Sequence, residues 1–247
     1  MDLLTSDAMK LLLLSNSTNA GEEYLGWPRK LIQDFLVSNQ VKTAVFVPYA
    51  GVTINNNDYE ARVADVFGPL GCKITSVHRS ADPVQAVMDA ECIIVGGGNT
   101  FRLVQLMYER NIMDPIRRKV LNGTPFIGWS AGANVASPSM KTTNDMPIVQ
   151  PVSFETLNLL PFQINPHYLD AHPEGHGGET REQRIIEFLE VNRKVTVVGL
   201  REACALQYID DELQLTGNRP MRVFRYHTVP VEYEPGSDID FLLSPVV

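Results

Sequence analysis

The feature of this sequence that most constrains its fold is the alternation of short, almost continuous apolar runs with longer amphipathic stretches. Nearly unbroken apolar character over a few residues is typical of parallel strands buried on both faces of a sheet. We therefore predict strands at Leu11–Leu14, Thr43–Pro48, Lys73–Val77, Cys92–Val95, Pro125–Gly128 and Val195–Leu200.

The stretches between these runs have the pattern of amphipathic helices. We predict helices at Trp27–Val37, Asn57–Phe67, Asp82–Asp89, Asn99–Glu109, Asp114–Leu121 and Glu179–Val191. Alternation of strands and helices predicts an α/β fold, a three-layer, mostly parallel doubly wound sheet with right-handed crossovers.

The C-terminal part of the chain departs from this alternation. Ala205–Ile209, Glu212–Thr216 and Met221–Arg225 are short strand-like segments separated by turn residues. They predict antiparallel strands that extend or flank the main sheet. Because no repeat and no linker rich in proline or glycine interrupts the chain, we expect residues 1–247 to form a single domain.

The charge balance of the 247-residue chain limits its partners. Lys and Arg total 21 against 29 for Asp and Glu, a net charge of −8. Nucleic acids and anionic membranes require a basic surface, so both are poor candidates. Leu11–Leu14 is too short for a signal-peptide core or a membrane span. The cysteines, Cys72, Cys92 and Cys204, have no metal-binding spacing and predict buried free thiols, so we expect a cytoplasmic location.

A possible catalytic nucleophile follows the predicted strand Pro125–Gly128. Gly128-Trp-Ser-Ala-Gly132 is a Gly-x-Ser-x-Gly motif between a strand and a helix, which is the setting of a nucleophile elbow. The tight turn exposes the Ser130 hydroxyl, and the following amide, that of Ala131, favours a developing oxyanion. The structural alternative is a helix N-cap serine between two packing glycines.

A second glycine-rich loop, Gly96–Gly98, also joins a strand end to a helix start. Glycine allows backbone amides to approach a ligand closely, so this loop could donate the second oxyanion hydrogen bond. A dinucleotide-binding loop is a weaker interpretation, because Phe101 stands where that motif has its third glycine. A plain tight turn is the structural alternative.

A serine nucleophile needs a base, and the sequence has five histidines. His167 follows the apolar stretch Phe162–Ile164, where a strand end would bring it near Ser130. Glu202, just beyond the strand Val195–Leu200, is the best-placed carboxylate to orient the imidazole. His78 could line the site or lie in a solvated loop, and His227 is predicted to be structural. The order Ser, His, Glu differs from the Ser, acid, His order of α/β-hydrolases.

The histidines after residue 166 also suggest a metal site. His167, His172 and His176 lie near Glu174 and Glu179, and zinc sites use these residue types. However, the segment contains a proline and several glycines, so a loop is expected instead of a helix that presents histidines on one face. A metal site is therefore the minor alternative.

Longer motifs in the chain resemble the peptidase E family, cytoplasmic serine peptidases that act as α-aspartyl dipeptidases. The resemblance extends from Leu11 to about Leu206, and the first nine residues look like an N-terminal extension. It is carried by Leu11–Thr18, Ile94–Phe101, Ile127–Asn134, Thr142–Val149, Gln163–His167, Pro173–His176 and Gly178–Arg184.

The resemblance implies a fold related to class I glutamine amidotransferases, with serine in place of their cysteine. It implies a triad of Ser130, His167 and Glu202, an oxyanion hole from the amides of Gly98 and Ala131, and an aspartate-reading Arg181. The chain departs from bacterial members on both sides of Glu202, where it has Arg201 in place of proline and Ala203 in place of glycine.

An acidic enzyme that selects an aspartyl side chain needs a local guanidinium, and Arg181 would supply it. Its alternative role is a solvated charge at a helix start. We expect Asn99 to contact the substrate, and Asp145, Glu174 or Glu179 to accept the substrate ammonium group.

The sequence therefore predicts a serine exopeptidase that cleaves Asp-X dipeptides, works without metal or organic cofactor, and is a monomer or homodimer. The alternatives are a cyanophycinase-like β-aspartyl peptidase, a metallohydrolase using His167, His172 and His176, and a catalytically silent binding protein on the same fold.

Overall fold

The computed structural model of the chain describes residues 8–170 and 177–244. The strands are β1 (Leu11–Leu14), β2 (Thr43–Val47), β3 (Lys73–Ser76), β4 (Ile93–Val95), β5 (Phe126–Trp129), β6 (Gln163–Tyr168), β7 (Val197–Arg201), β8 (Cys204–Ile209), β9 (Glu212–Gly217), β10 (Met221–Phe224) and β11 (Val231–Tyr233). The helices are α1 (Arg29–Ser38), α2 (Asn56–Phe67), α3 (Pro83–Met88), α4 (Thr100–Glu109), α5 (Met113–Leu121), α6 (Ala131–Asn134) and α7 (Arg181–Val191). Short 3₁₀ turns cover Gly68–Leu70, Val77–Arg79 and Asp240–Leu243.

Seven strands form the main sheet in the order β3-β2-β4-β5-β1-β8-β9. The first five of these pair in parallel, and β8 and β9 extend the sheet in antiparallel fashion. The predicted α/β class, its mostly parallel sheet and its antiparallel C-terminal extension are confirmed.

A second sheet of four strands has the order β11-β10-β7-β6. Its β6 and β7 are parallel, whereas β10 and β11 pair in antiparallel fashion. The predicted strand Val195–Leu200 thus lies in this sheet and not beside the other parallel strands. The apolar character of a strand indicates that it is buried, but it does not indicate which strand it pairs with.

Helices cover both faces of the main sheet, which gives the predicted three layers. Leu11 and Leu13 of β1 point into a core with side chains of α4 and α5, while Leu12 and Leu14 point into a core with α1 and α2. All four leucines are buried, as expected for a central strand between two helical layers.

The cysteines and the length of the helices can also be compared with the sequence-based expectations. Cys72, Cys92 and Cys204 are all buried free thiols, as predicted. In the part of the chain that the structure covers, no helix has the length and apolar character needed to cross a bilayer.

Candidate active site

Ser130 lies at the junction of β5 and α6 in an unusual backbone conformation, with φ 53° and ψ −112°. Its backbone nitrogen donates to the carbonyl of Leu14, 3.0 Å away, and its own carbonyl accepts hydrogen bonds from Ala133 and Asn134. A non-glycine residue with positive φ is strained and persists only where surrounding bonds hold it. This strand–turn–helix geometry is that of a nucleophile elbow.

The glycine at the end of the motif is required by close backbone packing. A Cβ atom on Gly132 would lie 2.1 Å from the carbonyl oxygen of Val95 in β4, which is far inside van der Waals contact. Helix α6 therefore packs directly on the strand that leads into the Gly96–Gly98 loop. A Cβ on Gly97 would lie 2.9 Å from the Cβ of Ser130, so the loop and the elbow are in contact.

The structure brings Ser130, His167 and Glu202 into one hydrogen-bonded line. The Nε2 atom of His167 lies 2.9 Å from the hydroxyl oxygen of Ser130, and its Nδ1 atom lies 2.8 Å from a carboxylate oxygen of Glu202. Because a carboxylate only accepts, Nδ1–H donates to Glu202 and Nε2 is left to accept from the serine hydroxyl. This is the tautomer that a general base needs.

Two further side chains, not predicted as site residues, bind the backbone at His167 and next to Glu202. The hydroxyl of Ser15 accepts from the backbone nitrogen of His167 at 2.9 Å and donates to the carbonyl of Leu200 at 2.7 Å. The side-chain oxygen of Asn16 accepts from the nitrogen of Ala203, next to Glu202, at 2.9 Å. The signal was available in the sequence, since Ser15 and Asn16 directly follow the buried run Leu11–Leu14.

The two amides expected to bind an oxyanion belong to Gly98, in the loop that contacts the elbow, and to Ala131, the residue after Ser130. Gly98 has φ 135°, and a Cβ there would lie 2.2 Å from the carbonyl oxygen of Ala50, so only glycine fits. Across residues 8–170 and 177–244, the backbone N–H groups of Gly98 and Ala131 donate to no other group. Both residues line cavities that open on Ser130.

A cavity of about 370 Å³, here called the Arg181 cavity, lies against the hydrogen-bonded line. Arg181 is the first residue of α7, which starts with a capping box between Thr180 and Gln183. Partial burial lowers the pKa of its guanidinium, the nearby Arg184 lowers it further, and Asp145 opposes the effect. Part of the hydration of this cation is thus lost in a cavity that Ser130 also lines. The cavity is lined by Ser130, Ala131, His167, Glu202, Arg181 and Asp145, among others.

Asp145 lines the same cavity, and hydrogen bonds tie its side chain to the first residue of α4. One of its oxygens accepts from the backbone nitrogen of Thr100 at 2.7 Å, from the Thr100 hydroxyl at 2.6 Å and from the Thr143 hydroxyl at 3.0 Å. Its other oxygen makes no hydrogen bond with the described residues. Glu179 is exposed, 3.8 Å from Arg184, and lines neither cavity at Ser130.

The side chain of Asn99 is engaged in local structure. Its oxygen caps α4 by accepting from the nitrogen of Arg102 at 3.0 Å, and its amide donates to the carbonyl of Met146 at 2.8 Å. It still lines a cavity at Ser130. Its structural role is to hold the loop before α4 against the segment that carries Asp145.

The remaining histidines lie apart from this arrangement or outside the described residues. His78 bonds to Ser76 and Asn57, partial burial lowers its pKa, and it lines neither cavity. His227 stacks on Tyr226 at the surface. Within the described ranges no group of three His, Cys, Asp or Glu side chains is arranged to hold a metal ion. His172, Glu174 and His176 lie outside those ranges.

The chain matches known proteins over most of its length. The sequence model of peptidase family S51 matches residues 11–216. The chain is 48% identical over 235 residues to a Peptidase E of Nostoc sp., an alignment that covers 95% of this chain and 97% of that protein. It is 49% identical over 228 residues to a Peptidase E of Citrobacter koseri, covering 92% and 99% of the two chains.

Solved structures show the same fold at lower sequence identity. A putative Peptidase E protein from Listeria monocytogenes superposes with a TM-score of 0.63 at 22% identity, covering 85% of this chain and 98% of that one. A peptidase from an acI-B1 Actinobacterium superposes with a TM-score of 0.68 at 17% identity, covering 95% and 97%.

Proposed function

The chain belongs to peptidase family S51, and on this premise we propose that it is a serine exopeptidase that cleaves dipeptides with an N-terminal aspartate. The observation that carries the proposal is the hydrogen-bonded line from Glu202 through His167 to Ser130, which opens on a cavity containing a cation. A nucleophile, a base and an orienting carboxylate in this order are what acyl transfer requires.

In the proposed reaction the Ser130 oxygen attacks the carbonyl carbon of the aspartyl residue, and His167 Nε2 takes the hydroxyl proton. The carbonyl oxygen becomes an oxyanion next to the amides of Gly98 and Ala131, which stabilise it. His167 then gives its proton to the leaving amine, and the C–N bond breaks. A water molecule, deprotonated by the same imidazole, hydrolyses the resulting ester and releases aspartate.

The Arg181 cavity would hold the aspartyl residue. A guanidinium can bind a carboxylate through two parallel hydrogen bonds, and partial burial strengthens that interaction. Asp145 would accept the substrate ammonium group through its remaining oxygen. These two charges are of opposite sign and match the side chain and amino terminus of an aspartyl residue.

The experiment is hydrolysis of α-Asp-Leu compared with β-Asp-Leu and Glu-Leu, with and without EDTA. Cleavage of α-Asp-Leu alone, unaffected by the chelator, supports the proposal. Preference for the β-linked isomer would instead favour a cyanophycinase-like activity, and loss of activity with EDTA would favour a metallohydrolase. Ser130→Ala should abolish turnover while leaving thermal unfolding unchanged, and a variant that retains activity would exclude Ser130 as the nucleophile.

The role of Arg181 is tested by Arg181→Gln with Arg184→Gln as the matched control. Arg184 lies one helical turn further along α7 and is exposed beside Glu179. We expect Arg181→Gln to reduce kcat/KM for Asp-Leu by roughly 10²-fold, as for loss of a charge-assisted bidentate contact. Arg184→Gln should have little effect. An equal loss in both variants would assign Arg181 a structural role.

A further inference from the structure

A second cavity, of about 580 Å³, also opens on the hydrogen-bonded line. We call it the Arg62 cavity after the cation in its wall. Ser130 and His167 are the described residues that line both cavities. A peptide that spans the two therefore has its scissile bond at the nucleophile. If the Arg181 cavity holds the aspartyl residue, the Arg62 cavity receives the residue that leaves.

The walls of the Arg62 cavity are largely apolar. Val52, Ile54 and Ile148 contribute aliphatic side chains to these walls. Val52 and Ile148 keep 55% and 50% of their surface exposed. Exposed aliphatic side chains grouped around a reactive serine gain free energy when they are covered by an apolar ligand. The leaving residue that best fits these walls has an apolar side chain.

The cation of this cavity is held against an aromatic ring. The guanidinium carbon of Arg62 lies 4.1 Å from the ring centroid of Tyr24, and Tyr24 in turn packs edge-on against Trp129, which precedes Ser130. A guanidinium held over an aromatic ring by cation–π attraction keeps its N–H groups able to donate to a further ligand. Among the residues that the structure covers, no carboxylate lies within 4.0 Å of Arg62.

We propose that the Arg62 cavity binds the leaving residue through an apolar side chain and a free C-terminal carboxylate, with Arg62 as the carboxylate-binding residue. The inference rests on the proposed function and extends it to the second residue of the dipeptide. The terminal carboxylate is part of every dipeptide and is displaced in longer peptides. Arg62 would thus favour dipeptides over their amides and over longer chains.

The test compares steady-state kinetics for Asp-Leu, Asp-Leu amide and Asp-Gly. A carboxylate contact made equally in ground state and transition state changes KM and leaves kcat unchanged. We expect the amide to have a KM about tenfold above that of Asp-Leu, which corresponds to one charge-assisted hydrogen bond. Asp-Leu should exceed Asp-Gly in kcat/KM by about tenfold, because an apolar pocket gains from each added methylene group.

Arg62→Gln should raise KM for Asp-Leu about tenfold and leave the amide unchanged, which removes the difference between the two substrates. The control is Arg118→Gln, on α5 at the opposite face of the main sheet, which should keep that difference. Equal kcat/KM for acid and amide in the unaltered protein overturns the role of Arg62, as does an Arg62→Gln variant that slows both substrates equally. Asp-Gly cleaved as well as Asp-Leu overturns the apolar preference. If no aspartyl dipeptide is cleaved at all, the proposed function fails and this inference fails with it.

Discussion

The hydroxyl oxygen of Ser15 lies 2.9 Å from the backbone nitrogen of His167, although 152 positions separate the two residues in sequence. Ser15 directly follows β1 of the main sheet, whereas His167 belongs to the second sheet. The same hydroxyl donates to Leu200 in β7. A single buried side chain thus ties the two sheets together at the point where His167 adopts a positive φ of 54°.

We expect Ser15→Ala to lower kcat by about ten- to a hundredfold, with a much smaller change in KM. The substitution leaves the His167 amide without its partner, and in the proposed mechanism small displacements of the His167 imidazole are costly at this scale. The measurement is steady-state kinetics with Asp-Leu together with thermal unfolding.

The control for Ser15→Ala is Ser137→Ala. The Ser137 hydroxyl also accepts a backbone N–H of β6, that of Ile164, at 2.9 Å, but it does not contact His167. Both variants should lose stability, and the fall in kcat should be confined to Ser15→Ala. A similar fall in both would mean that Ser15 acts on stability alone.

The position of Ser130 could be predicted from a rule of α/β folds, and His167 and Glu202 from their places next to apolar runs. Ser130 follows β5 at the carboxyl edge of the main sheet, where α/β folds place their functional residues, and His167 also follows an apolar run, although its strand lies in the second sheet. Helix and strand limits were also close, since capping and apolar patterning act locally. For example, β2 was predicted as Thr43–Pro48 and ends at Val47.

The parts that could not be predicted are those that depend on long-range pairing. Nothing in Val195–Leu200 indicates that its strand pairs with the strand carrying His167. The hydrogen bond between Ser15 and His167 could not be predicted without knowing that pairing. The helix cap made by Asn99 is local, but the hydrogen bond from its amide to Met146 joins two segments 47 residues apart and could not be predicted.

Gly132→Ala should destabilise the protein strongly. The added Cβ would meet a backbone carbonyl at 2.1 Å, and a backbone neighbour cannot turn aside as a flexible side chain can. Overpacking of this kind costs at least about 1–3 kcal/mol. The measurement is thermal unfolding, with Gly68→Ala as the control. A Cβ on Gly68 would meet nothing within 4 Å, and the φ of Gly68 is −56°, which alanine adopts readily. Unfolding temperatures that agree between the two variants would show that α6 can move away from β4.

Ala203→Gly should stabilise the protein by about 1 kcal/mol. Ala203 has a positive φ of 62°, a conformation that costs a residue with a Cβ roughly 1–2 kcal/mol and costs glycine almost nothing. Part of the gain is offset by the larger entropy of glycine in the unfolded chain. Chemical denaturation gives the free energy of unfolding. Ala205→Gly, at a buried position of β8 without positive φ, should be destabilising, and a loss of stability in Ala203→Gly as well would show that the Cβ of Ala203 contributes packing.

Asp170→Asn should reduce the loss of thermal stability at acidic pH. Arg201 is buried and bonds to Asp170 at 2.6 and 2.8 Å and to Glu232 at 2.7 and 2.9 Å. The hydrogen bonds from Arg201 lower the pKa of Asp170, and partial burial opposes them. The carboxylate is therefore more acidic in the folded than in the unfolded protein. Its stabilisation is complete above its ordinary pKa and is lost as the pH falls through the lowered value.

The unaltered protein should accordingly lose unfolding temperature as the pH falls below about 4, the ordinary pKa of an aspartate, and Asp170→Asn should lose less over that interval while starting from a lower temperature at neutral pH. Thermal unfolding across this range is the measurement. Asp65→Asn serves as the control, because Asp65 is exposed on α2 and makes no ion pair with the described residues. Parallel acid curves for the unaltered protein and Asp170→Asn would mean that Glu232 alone neutralises Arg201.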